Sequence, residues 1–186
     1  SQFTHVIDVA PTVLEIAGLP MPTSVNGVQQ APMEGFSMAY AFDAAEAPEV
    51  HNLQYFEMFC NRGVYHEGWT AVTRHSIPWD LVADPVPFDN DTWELYGPDD
   101  WTQSNNLAAE NPAKLAELQR LWLIEAVKYS ALPLDDRRAQ RANPDLAGRP
   151  TLIKGNSQIL FGGMGRLGEN CVINTKNKSF SVTAEL

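Results

Sequence analysis

Four histidines, two cysteines and scattered carboxylates are the residues of this 186-residue chain that could do chemistry. Glu57 is the odd one among the acids, because it stands in Tyr55-Phe-Glu-Met-Phe59 among aromatic neighbours. Strand alternation puts Tyr55, Glu57 and Phe59 on one face and Phe56 and Met58 on the other. A carboxylate there is either partnered or edge-exposed, or it faces a ligand, and its neighbours do not decide between these. His66 could reach into a cleft, but a histidine at a hairpin reads as a solvated turn residue, and His75 reads the same way. His5 and Asp8 read as helix-initiation chemistry rather than as catalytic groups. Asp80, Asp84, Asp89 and Asp91 lack the D-x-D-x-D-G regularity of a calcium loop and read as a solvated loop.

The familiar reactive patterns are missing. Cys60 and Cys171 form no C-x-x-C pair and begin no zinc pattern; two thiols outweigh a single disulfide, and neither outcome fixes the compartment. No serine stands in a G-x-S-x-G elbow, and neither a P-loop nor H-E-x-x-H is present. Gly162-Gly-Met-Gly165 resembles a phosphate cradle, yet no helix-forming stretch follows it, so it reads as a turn.

The elements that must position these groups are clearest between Gln54 and Gly97. Aromatic and β-branched residues in Gln54–Cys60, Asn61–His66, Trp69–Arg74 and Trp93–Tyr96 predict an antiparallel sheet, with Gly63, Gly68 and Gly97 as turn glycines. Before it, Asp8 is expected to cap a helix whose residues Val9, Val13, Leu14, Ile16 and Ala17 form an apolar face closed by Gly18. Residues 20 to 51 read as a long loop with one short helix over Phe36–Phe42, a connection of the kind that packs on a larger neighbour. Beyond the sheet, Asn111 as N-cap and Pro112 as first residue open a helix. Its stripe of Leu115, Leu118, Leu121, Trp122, Val127 and Tyr129 is expected to pack on the sheet. Residues 134 to 150 read as a charged linker. Gln158–Phe161 and Lys178–Leu186 read as strands, the last an uncovered edge that would pair with a second copy of the chain.

The formal net charge of −10 argues against nucleic acid or an anionic membrane as partner, since counterion release needs clustered Lys and Arg. No apolar run approaches the roughly 20 residues needed to span a bilayer. The opening Ser1-Gln-Phe-Thr-His-Val-Ile-Asp8 reads as helix initiation rather than a signal peptide, and the expectation is a chain cut from something longer.

Taken in order, a series of motifs resembles the C-terminal part of bacterial arylsulfatases. It runs through Thr4-His-Val-Ile-Asp-Val-Ala-Pro-Thr-Val-Leu-Glu-Ile-Ala-Gly18, Val25-Asn-Gly-Val-Gln-Gln30 and Gln54-Tyr-Phe-Glu-Met-Phe-Cys-Asn-Arg-Gly63. It continues through Gly68-Trp69, Trp93-Glu-Leu-Tyr96, Lys114-Leu-Ala-Glu-Leu118, Leu134-Asp-Asp-Arg137 and Asn174-Thr-Lys-Asn-Lys-Ser-Phe180. The resemblance implies an α+β fold in the alkaline-phosphatase-like superfamily: residues 1–53 ending a large domain, 54–132 a four-stranded antiparallel sheet with one packed helix, and 133–186 a linker and β-rich extension. It implies hydrolysis of sulfate esters by the complete enzyme, with calcium and a formylglycine made from the cysteine of C-x-[PS]-x-R. It also implies two partners: an upstream catalytic domain and, in the complete enzyme, a small sulfate ester. Cys60 is followed by Asn-Arg-Gly and Cys171 by Val-Ile-Asn, so no catalytic residue carries over and the chain alone is expected to be inactive. Because the corresponding sheet lies beside the pocket in the resembling enzymes, Asn61, Arg62, Tyr65 and His66 are the candidate substrate rim. A phosphate or phosphonate monoester hydrolase of the same superfamily, or a noncatalytic binding or assembly module, are the competing readings.

Overall fold

A computed structural model of the chain describes residues 2–44, 46–80, 86–143, 146, 148, 153–165, 167 and 171–183. They fall into two units, one of residues 1–77 and 86–134, the other of 78–85 and 135–186.

The first unit is α+β. Helix α1 (Val9–Ile16) is entered through a 3-10 turn at Val6–Asp8 and left through Gly18, whose φ of 65° is open to glycine at little cost. Residues 20 to 51 are less irregular than expected. Strands β1 (Ser24–Val25) and β2 (Val28–Gln29) close a small hairpin on Asn26-Gly27, both in the left-handed region. Asn-Gly is the strongest short-range hairpin signal, because this primed turn matches the twist of its strands. Only Ala39–Ala41 of the helix expected over Phe36–Phe42 forms, as one 3-10 turn.

Strands β3 (Leu53–Met58), β4 (Asn61–His66), β5 (Trp69–Thr73) and β6 (Trp93–Tyr96) make an antiparallel meander in chain order. One of the three expected turn glycines has another role. Gly63 lies inside β4 opposite Phe56, where a Cβ would meet the Val72 side chain at 3.3 Å. Gly97 does open a turn after β6, its carbonyl accepting the Asp100 N–H at 3.1 Å. The β3–β4 turn falls instead on Phe59 and Cys60, with φ of 50° and 67°, and the Glu57 carboxylate accepts the Cys60 N–H at 2.7 Å. Glu57 is thus the partnered carboxylate of the two readings: it fastens a turn that lacks glycine. The β4–β5 turn is Glu67-Gly68, as the sequence predicts.

Helix α2 (Pro112–Lys128) begins after Asn111, whose side chain makes no capping bond. It covers one face of the sheet, burying Leu118, Trp122 and Ala126 against Val64, Ala71 and Leu95. Each large side chain sealed there contributes about 1.5 to 3 kcal/mol. Trp122 also donates from Nε1 to the Phe56 carbonyl at 3.0 Å. Val127, expected in the apolar stripe, is 64% exposed because Ala126 occupies the inward position.

In the second unit, β7 (Ile153–Lys154) and β8 (Ser157–Gln158) form a two-residue hairpin over Gly155. The strand expected over Gln158–Phe161 stops at Gln158. Residues 178 to 183 carry no strand, and the remainder of the expected Lys178–Leu186 strand lies outside the described residues. Alternation alone did not suffice there, since a strand needs a partner for its backbone groups. Among the described residues no helix is long and apolar enough to cross a membrane.

Candidate functional site

Asp8, in the first unit, is a fully buried carboxylate, 1% exposed. It stands where an N-cap of α1 would, yet its carboxylate makes no capping bond to that helix. Oδ2 accepts the His5 N–H at 2.8 Å and Oδ1 accepts the Phe36 N–H at 2.8 Å. The His51 ring donates from Nδ1, 2.7 Å from Oδ2. Burial works to raise the Asp8 pKa; the His5 and Phe36 amides and the His51 ring outweigh it and hold the carboxyl below its ordinary value. Thr12 tightens the same knot, donating to the Asp8 carbonyl at 2.6 Å and accepting the Met38 N–H at 2.8 Å. Gly35 permits it, because a Cβ there would collide with the Ile7 carbonyl. The expected role of Asp8 in helix initiation is therefore only part of its work.

His51 is 4% exposed, with Phe3 and Phe36 edge-on at centroid distances of 5.3 and 5.2 Å. It lines a cleft of about 420 Å³ together with Phe36, Tyr55, Glu34, Glu125 and Lys128. Burial, reinforced by the Glu57 carboxylate, pushes the Tyr55 phenol up to about 12, so it stays protonated near neutrality. Nothing around Val50-His51-Asn52 signals this arrangement locally. Its partner lies 43 residues away, and only the fold brings the two together.

The four expected rim residues separate along β4. Asn61 and Arg62 sit beside the Phe59-Cys60 turn, whereas Tyr65 and His66 sit beside Glu67-Gly68 at the other end. Asn61 Oδ1 accepts the amides of His75 and Ser76 at 2.9 and 3.1 Å. Arg62 lies under α2, ion-paired to buried Asp91, its guanidinium 5.3 Å from the Trp93 ring centre and 5.7 Å from that of Trp122. His75, also buried, holds Asp91 through Nδ1 at 3.0 Å and stacks on Phe88 at 4.2 Å. The expected solvated histidine and the expected loop acid are thus both interior, because a guanidinium beneath aromatic rings demands a counter-charge. Asp84 lies outside the described residues.

Tyr65 stacks on Phe3 at 3.8 Å and donates to Glu49 Oε1 at 2.6 Å. Burial and that carboxylate push its phenol up. It lines a second cleft of about 640 Å³ with Glu49, Glu67, Asp100 and the exposed Trp101. His66 points to the α2 side, its Nδ1 3.9 Å from Glu117.

The residues present do not fit the calcium or the formylglycine that the resemblance implies for a complete enzyme. Among the described residues no three His, Cys, Asp or Glu converge to hold a metal ion. Cys60 is buried in a turn and lacks the surrounding motif, and Cys171, though exposed, lacks it too.

No family model and no curated protein matches the sequence. Among solved structures the chain is similar to one described as BT4656 in complex with its substrate D-glucosamine-2-N,6-O-disulfate. Identity is 18%, the TM-score is 0.44, and the match covers 68% of this chain and 24% of that one. The chain therefore spans about a quarter of that protein's length.

Proposed function

We propose that this chain is the C-terminal scaffolding part of a sulfate-ester hydrolase of arylsulfatase type, whose reactive groups lie on a larger domain docked against it. The ordered series of arylsulfatase-like motifs, from Thr4 to Phe180, supports the family reading. One structural observation carries the scaffolding part: α1 turns Val9, Val13 and Ile16 outward, and Val6, Leu19 and Met21 beside it are equally exposed. A run of large aliphatic side chains on a short helix with its polar anchor buried is the surface of an element meant to be covered.

In this reading Tyr65 and His66 border the substrate, with Asn61 and Arg62 holding the far end of their strand. Glu49, Glu67 and Asp100 beside Tyr65 repel an anion, so that cleft favours the uncharged end of an ester over its sulfate. Calcium and formylglycine belong to the domain that would dock.

The upstream coding sequence provides the test. A C-x-[PS]-x-R motif there supports the proposal, and a reading frame without one defeats it. The isolated chain should leave p-nitrophenyl sulfate untouched, and turnover by it would overturn the scaffolding role. Comparing p-nitrophenyl sulfate with p-nitrophenyl phosphate in the complete enzyme identifies the ester.

A further inference from the structure

We propose that Asn26-Gly27, the turn of the β1–β2 hairpin, is a site of spontaneous covalent modification, where the asparagine amide passes through a cyclic imide to aspartate and isoaspartate. This assignment is independent of the sulfatase reading. No other asparagine of the chain is followed by glycine. Both residues are exposed, and neither the Asn26 side chain nor the Gly27 N–H makes a hydrogen bond among the described residues. A Cβ built on Gly27 would meet nothing within 4 Å, so no neighbour shields the nitrogen that has to attack. Other asparagines are placed differently. Asn61 Oδ1 holds the His75 and Ser76 amides, and Asn106 Oδ1 holds those of Leu95 and Ala108. Arg62 and Leu107, which follow them, each put a long side chain beside the attacking nitrogen.

Water is the only co-reactant. The Gly27 nitrogen bonds to Asn26 Cγ, the Cγ–Nδ2 bond breaks, and Nδ2 leaves as ammonia with the proton that the Gly27 nitrogen gives up. Water then opens the ring, at Cγ to give aspartate or at the main-chain carbonyl to give isoaspartate, and the Gly27 N–H is restored. Nothing is oxidised or reduced. The ring fixes rotation about the Asn26 Cα–C bond away from the value a left-handed turn residue needs, so the hairpin has to open before the ring closes. That opening is cheap, because each strand has two residues, all four are exposed, and so short a two-stranded ribbon is marginal in water. Isoaspartate lengthens the main chain by one carbon inside a two-residue turn, so Val25 no longer faces Val28. Either product adds one negative charge to the formal −10.

The test incubates the complete 186-residue chain in mildly alkaline buffer beside a synthetic peptide of Thr23–Gln30, with peptide mapping by liquid chromatography and mass spectrometry. Asn26 in the folded chain is expected to convert at no less than about a tenth of the free peptide's rate, since the hairpin is marginal. It should yield separable aspartyl and isoaspartyl forms before Asn61 or Asn106 changes. Gly27→Pro should abolish the conversion whether or not that variant keeps the hairpin, because a proline nitrogen has no proton to give up. In the purified isoaspartyl fraction the NMR contact between the Val25 and Val28 backbones should be lost while the resonances of β3 to β6 stay in place. A slower conversion than that, an aspartyl product alone, earlier change at Asn61 or Asn106, undiminished conversion in Gly27→Pro, or a Val25–Val28 contact that survives in the isoaspartyl fraction would each overturn the assignment.

Discussion

Two buried carboxylates do different work at the residue scale. Asp91 neutralises Arg62 beneath the aromatic rings, so Asp91→Ala leaves that guanidinium buried without this carboxylate. The expected loss is about 3 to 5 kcal/mol in urea unfolding, and replacing both partners with Arg62→Met and Asp91→Leu should recover most of it. A single-variant loss below about 1 kcal/mol would mean the pair is hydrated. Asp8 has a folded-state pKa below its ordinary value of 3.8. Its stabilising contribution is therefore fully present above that value and is lost as pH falls through the folded pKa. The stability gap between the natural chain and Asp8→Asn should widen as pH rises from about 2 to about 5; a flat gap would show that the carboxylate is not held by the His5 and Phe36 amides.

Elements are oriented here by side chains whose inward or outward position the apolar stripe alone does not settle. Trp122 is 4% exposed and anchored to the Phe56 carbonyl, while Val127 on the same helix is 64% exposed. Trp122→Ala should cost about 3 to 5 kcal/mol, whereas Val127→Ala should stay within about 0.5 kcal/mol. Comparable losses at the two sites would place α2 in a different rotation on the sheet. The sheet register belongs to the same scale: the Glu57 bond to Cys60 and the Glu67-Gly68 turn pin the two ends of β4, and a one-residue slip would carry Val64 out of the core.

For the whole molecule, the proposed docking of a larger domain is tested at the outward face of α1, where Val9, Val13 and Ile16 are exposed. Replacing Val9, Val13 and Ile16 together by serine should leave thermal stability nearly unchanged, because none of the three is buried. The same variant should bind less of a hydrophobic dye and self-associate less in light scattering. A large loss of stability would show that these residues fill a core of this chain rather than meet a partner.

Periodicity by itself determined the four-stranded sheet, the Glu67-Gly68 turn and the helix opened by Asn111-Pro112, since each rests on neighbours a few residues apart. The sequence also lacks a G-x-S-x-G elbow, a P-loop and H-E-x-x-H, each of which is read from residues a few positions apart. Only the tertiary structure decided which carboxylates are interior. Asp91 reads as one of several loop acids until Arg62 and His75 close on it, and Asp8 reads as a helix cap until Phe36 and His51 arrive from 28 and 43 residues away. Strand and helix signals are short-range, whereas the cost of burying a charge is met by groups that chain folding alone brings together.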